Sequence, residues 1–190
     1  MVPNDKWLKL AGLCGVATPI VALSCIFIAI SLSPWFSWSS NALSDLGVGE
    51  ASWVFNSGLI AGGILTMILA GSMFVSFRDQ ALRRIGAVIL LIDAFSLIGI
   101  GLFSEAAGRI HFYFSVAFFM LFPVSLFLLG IGAVKATSRK FGILTIVIGV
   151  LAALPWVFRW DAVAVPEMLS ALTASAWIVI QGARVYSGEA

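Results

Sequence analysis

Six long apolar runs separated by short polar stretches make up almost the whole chain. Their approximate limits are residues 8–33, 52–77, 85–103, 110–134, 141–158 and 166–186. Each is near the roughly 20 residues an α-helix needs to cross the hydrocarbon core of a bilayer. Only helices and closed barrels satisfy every backbone polar group in that medium. The pattern therefore predicts an all-α integral membrane protein, a single domain over 1–190 built as a bundle of six transmembrane helices. The first run far exceeds the apolar stretch of about 7–15 residues in a signal peptide. It leads straight into Pro34, so it reads as a retained span.

The polar stretches set the orientation. With the first terminus inside, Lys6, Lys9, Arg78, Arg83, Arg84, Lys135, Arg139, Lys140 and Arg184 fall on the inner side, and only Arg109 and Arg159 on the outer. This bias predicts cytoplasmic termini and a multi-pass protein of the cell membrane. Trp35, Trp38, Trp53, Trp156 and Trp160 all map to the outer boundary, as an aromatic belt. Composition agrees: 11% of residues are charged, against roughly 25% in soluble domains. Cys14 and Cys25 lie eleven residues apart on one predicted helix, too far to bridge, and read as packing residues.

Candidate chemistry concentrates on the outer side. Pro34–Trp53 (PWFSWSSNALSDLGVGEASW) is the longest polar interruption and holds Asn41, Ser44, Asp45 and Glu50. SEAAGRI and RWDAVAVPE return to the same face with Glu105, Arg109, Arg159, Asp161 and Glu167, beside His111, the one histidine. Bland readings cover several of these. Glu105 and Arg109 have i,i+4 spacing and pair if their turn is helical. Glu167 follows Pro166 as a helix-start residue. His111 suits a hydrogen-bonded packing role. NALSDLG suits an amphipathic turn capping the second span, with Gly47 and Gly49 supplying the bend. The sharper reading folds this turn onto the helix ends, so that Asp45 meets His111 or an outer arginine.

Asp45, Glu105 and His111 are metal-ligating types, and Ser44 with His111 and a carboxylate could form a nucleophile system. Neither set has a recognised spacing motif, so no metal and no cofactor are expected. Asp93 falls near the middle of the third run, where a carboxylate is costly and marks a functional candidate by default. Its bland reading is a protonated or hydroxyl-bonded residue of the bundle core, with Ser24, Thr66 or Ser125 as partners. Gly58 and Gly62 have the small-xxx-small spacing that admits a second helix, here expected to be a membrane-protein partner.

Three stretches carry a resemblance: Pro34–Gly47 (PWFSWSSNALSDLG), Phe55–Ile60 (FNSGLI) and Gly101–Ser115 with its GLFSE and HFYFS. They look like an uncharacterised prokaryotic six-span membrane family, domain of unknown function 998. The resemblance implies a six-helix bundle with the outer loop as its distinctive feature, and no activity. Where a proline is expected after the phenylalanine of GLF, this chain has Ser104.

The expected function is binding of a lipid headgroup or small amphiphile on the outer side. Asn41, Ser44, Asp45, Glu105 and His111 are the expected contacts, with Arg109 or Arg159 meeting anionic groups. The alternatives are a membrane-embedded lipid hydrolase using the same residues, and an accessory or assembly subunit whose polar cap is structural. Membrane lipids are the expected partners, and nucleic acid is not.

Overall fold

The computed structural model describes residues 5–136 and 138–189; Thr137, in the KATSRK turn, lies outside them. The helices are α1 (Asp5–Ser31), α2 (Ser52–Ser76), α3 (Ala81–Leu102), α4 (Arg109–Ala136), α5 (Arg139–Ala153) and α6 (Ala164–Tyr186). Short 3-10 turns occupy Leu43–Gly47, Glu105–Ala107 and Leu154–Val157. With the last turn counted as part of α5's span, all six are long and apolar enough to cross a membrane. Each helix packs on its chain neighbours, and α6 closes the ring against α1. Asp5 at the start of α1 and Tyr186 at the close of α6 lie at one end of the ring, the terminal end. Residues 32–51, 103–108 and 154–163 form the other, the loop end. Outward faces expose large apolar side chains such as Ile20, Ile92, Phe112 and Met120, a surface suited to lipid.

Two helix boundaries differ from the apolar runs, each for a local reason. Pro155 has no N–H to continue α5, so the fifth span ends as a 3-10 turn rather than running as α-helix to 158. Arg83 and Arg84, read as part of a charged turn, belong to the first turn of α3. Their stems lie along the bundle and their guanidinium groups stack on phenylalanine, Arg83 at 3.6 Å from the Phe77 ring and Arg84 at 4.3 Å from Phe74. Arg83 is thereby buried, with Gln80 accepting a 2.9 Å hydrogen bond from it.

The two halves of the ring are filled differently. Near the terminal end, Leu69, Met73, Phe77, Leu90, Leu126, Trp177 and Val185 form a continuous core. There α1 and α6 touch backbone to backbone: a Cβ on Gly182 would stand 2.8 Å from the Gly12 carbonyl oxygen. Toward the loop end a second cluster gathers Ile26, Phe55, Leu59, Ile100 and Met168 around Leu43 and Leu46. The Gly58–Gly62 face, read as a docking face for another protein, is taken by α1. Gly58 abuts Cys25, and a Cβ on Gly62 would meet Ala22 at 3.1 Å. Close approach there serves the α1–α2 contact of this chain.

Candidate functional site

The NALSDLG stretch folds down onto the helix ends and stops the mouth of the ring. Leu43 and Leu46 point into the bundle, the latter fully buried. Asn41 is the hub of the turn. Its Oδ1 accepts from the Ser37 N–H at 2.9 Å and its Nδ2 donates to Asp45 Oδ2 at 2.7 Å. Its carbonyl accepts from the N–H of Ala164, at the start of α6, at 3.0 Å. Asp45 Oδ2 also accepts from the Ala42 N–H at 3.0 Å. Asn56, from α2, donates to the Gly47 carbonyl at 3.0 Å and anchors the far end of the turn.

Glu167 holds the same turn from α6: its Oε2 accepts from the Leu43 N–H at 2.6 Å, across 124 residues of sequence. The helix-start account is therefore incomplete. Glu167 does occupy the first turn of α6, but it is buried and caps the loop turn. A glutamate beside a proline at a helix start carries no sequence mark of so distant a partner.

Asp45 meets neither His111 nor an arginine. Its third partner is Glu105, through a hydrogen bond between the two carboxyl groups. Burial pushes Asp45 up, but the bonds from Glu105, Asn41 and the Ala42 N–H outweigh it and hold the group below its ordinary value. The shared bond, then burial and the Asp45 charge, push Glu105 up to about 7. Below about pH 7 Glu105 thus holds the shared proton and Asp45 accepts it. Glu105 and Arg109 do not pair: Gly108, at φ 59°, breaks the helix between them. Arg109 and Arg159 are both exposed, and neither makes an ion pair among the described residues.

Beneath the turn lies a cavity of about 90 Å³, lined by α1, α2, α3, α4 and α6. Its walls are mostly apolar, with Ala22, Leu59, Leu97, Phe118 and Ile178 among them. Ser44 and Glu167 stand on its lining, and Asp93 is the third polar feature of interest. A second space, a groove of about 520 Å³, has Glu105, His111, Phe112, Met120, Trp156 and Val163 on its walls. Ser44, Ser115, Phe119 and Glu167 line both spaces, which therefore adjoin.

His111 is buried, and its Nδ1 lies 2.8 Å from the Phe103 carbonyl oxygen. A carbonyl only accepts, so Nδ1 carries the proton; in the neutral ring Nε2 is then a bare acceptor on the groove side. No hydrogen bond joins Ser44 to His111 among the described residues, and no group of three or more His, Cys, Asp or Glu there could hold a metal ion.

Asp93 is 1% exposed, and its Oδ1 is sealed in without a partner. The hydroxyls expected to satisfy it are engaged elsewhere or remote. Thr66 donates to the Gly62 carbonyl at 2.9 Å, Ser125 to that of Gly86 at 3.1 Å, and Ser24 is exposed. The expected hydroxyl-bonded arrangement of Asp93 is not the one observed.

Fold and site together define a multi-pass helical membrane protein with a polar turn seated in one end of its bundle. The chain belongs to the family described as protein of unknown function (DUF998), whose profile matches residues 16–184. No curated protein and no solved structure matches it.

Proposed function

We propose that the protein binds one amphiphile at the loop end, with its apolar chain in the cavity and its polar head in the groove. In this reading the loop end faces outward, both termini are cytoplasmic, and the ligand comes from the outer leaflet of the cell membrane. The observation that carries it is that an apolar cavity and a groove holding Glu105, His111 and Glu167 adjoin across one shared wall of Ser44, Ser115, Phe119 and Glu167. An apolar chamber with a few convergent polar groups at its mouth is the usual form of a small-molecule site. The groove walls Phe112, Val116 and Met120 lie on the lipid-facing side of α4, so a chain can enter sideways.

The test fills the chamber. Ala171 lines the cavity and has no hydrogen-bonding side chain to lose. Native mass spectrometry of wild-type protein released from lipid nanodiscs should show one retained amphiphile. Ala171→Phe should keep the fold and lose it. Equal retention by a well-folded Ala171→Phe would place the ligand elsewhere. For orientation, in a chain with Cys14 and Cys25 replaced by serine, cysteines at Ser39 and Ala107 should react with an impermeant reagent in intact cells, and one at Ser138 should not.

A further inference from the structure

The groove holds more hydrogen-bond acceptors than the protein satisfies. Glu167 is 8% exposed, and only its Oε2 has a partner, the Leu43 N–H. His111 is 6% exposed, and only its Nδ1 has one, the Phe103 carbonyl. Two side chains more than nine-tenths buried therefore each present an unpartnered acceptor, Oε1 and Nε2, on the lining of one groove. Glu105 adds a second acidic group to the same wall and is hydrogen-bonded to Asp45. The Asp45–Glu105 pair keeps at least one negative charge near neutrality, and that charge acts on Glu167. No lysine or arginine lines the groove.

Oε1 of Glu167 and Nε2 of His111 open on the groove, so a head that covers them must supply donors, and an anionic head would instead add like-charge repulsion with no cation on the lining to offset it. An ammonium group supplies what is missing: a positive charge and up to three N–H donors in a compact head. We infer that the groove selects an amphiphile with a primary ammonium head, bound between Glu105, Glu167 and His111. This rests on the amphiphile reading above and narrows it. It also replaces the expectation that Arg109 or Arg159 meets an anionic head, since both side chains are exposed and neither is part of the groove lining.

The experiment compares four twelve-carbon probes that differ in the head: dodecylamine, dodecyltrimethylammonium, dodecanol and laurate. Each is titrated into full-length protein in zwitterionic nanodiscs, with 1:1 retention read by native mass spectrometry and the thermal midpoint read alongside. Dodecylamine should bind about tenfold more tightly than dodecanol, as one charge-assisted hydrogen bond would give. The quaternary probe, with charge but no donor, should fall between them, and laurate should be weakest. The double variant Glu105→Gln, Glu167→Gln keeps an acceptor for the Leu43 N–H and should bind dodecylamine and dodecanol alike. If that variant does not fold, Glu105→Gln alone should at least halve the preference. Laurate binding as tightly as dodecylamine, or a preference that survives the variants, overturns the head-group inference. Equal binding of all four probes overturns it while sparing the amphiphile reading. Failure of folded wild-type protein to retain any of them overturns both.

Discussion

The two ends of this bundle handle ionisable groups in opposite ways. At the terminal end aromatic faces receive three arginines: Arg83 over Phe77, Arg84 over Phe74 and Arg184 over Phe141 at 4.2 Å. Their long stems carry the guanidinium groups onto those rings, Arg83 staying buried, while the backbone stays helical. At the loop end the groups are carboxyls on short stems, which cannot reach out in that way. The chain instead brings donors to them, in the form of a turn whose N–H groups meet Asp45 and Glu167. The first solution leaves the core solid. The second needs a turn inserted into the ring, and the space beneath that turn is not filled. Packing strength and the candidate site are therefore in different halves of the same ring.

The largest effect that would break this contrast is at the α1–α6 crossing. Gly182→Leu should abolish the folded bundle, because its Cβ would press on the Gly12 carbonyl oxygen and, at 2.9 Å, on the Val16 nitrogen, and backbone cannot yield there. Gly49→Ala at the loop end should be tolerated, since its Cβ meets only the Trp35 ring edge, at 3.1 Å. Monodispersity on size exclusion and near-ultraviolet circular dichroism read both outcomes. Equal damage at the two positions would erase the proposed difference between the halves.

A smaller effect belongs to Asp93, a carboxyl with no bonded partner on the cavity wall. Asp93→Leu should leave the empty protein folded and raise its stability by about 1–3 kcal/mol, the cost of an unsatisfied buried polar group. Asp93→Asn should change stability little. A fall in the thermal midpoint of the leucine variant would reveal a hydrogen-bonding role for the carboxyl.

Next in size is the Asp45 network. Asp45→Ala removes the acceptor for Asn41 and the Ala42 N–H and should cost about 1–2 kcal/mol in thermal unfolding. With Glu105→Ala the combined loss should be less than the sum, since the two share one bond. With His111→Ala the losses should add to within about 0.5 kcal/mol, because Asp45 and His111 have no partner in common. Strong coupling between Asp45 and His111 would restore the pairing first expected from topology.

The smallest effect is on pH. Glu105 ordinarily titrates near 4.5 and is pushed up to about 7 in the fold, so between these values the folded state holds more protons than the unfolded state. Its contribution to stability is complete below about 4.5 and is lost as pH rises through about 7. The thermal midpoint should fall over that interval, and Glu105→Gln should remove the part of the slope that Glu105 carries. Asp45, held low, acts in the opposite sense and only in more acidic solution, so it does not mask the trend.

The sequence by itself determined the elements that water and lipid dictate. Six runs of apolar side chains leave the backbone no alternative but helices, and Pro34 marks where the first of them stops. It also singled out NALSDLG, because a dense polar segment in so apolar a chain is conspicuous. The partners were decided by tertiary structure alone. Opposite charge pointed to Asp45 with His111 or arginine and to Glu105 with Arg109. The folded turn instead set carboxyl against carboxyl, and Gly108 turned Arg109 away. Glu167 looked like a helix-start residue until ring closure carried the start of α6 beneath Leu43. Gly58 and Gly62 advertised close approach correctly, but which helix approaches depends on the order of the ring. Hydropathy is a property of each residue in its solvent and can be read along the chain. A hydrogen bond across 124 residues, or a space left between five helices, depends on how their surfaces meet, and local spacing does not encode that.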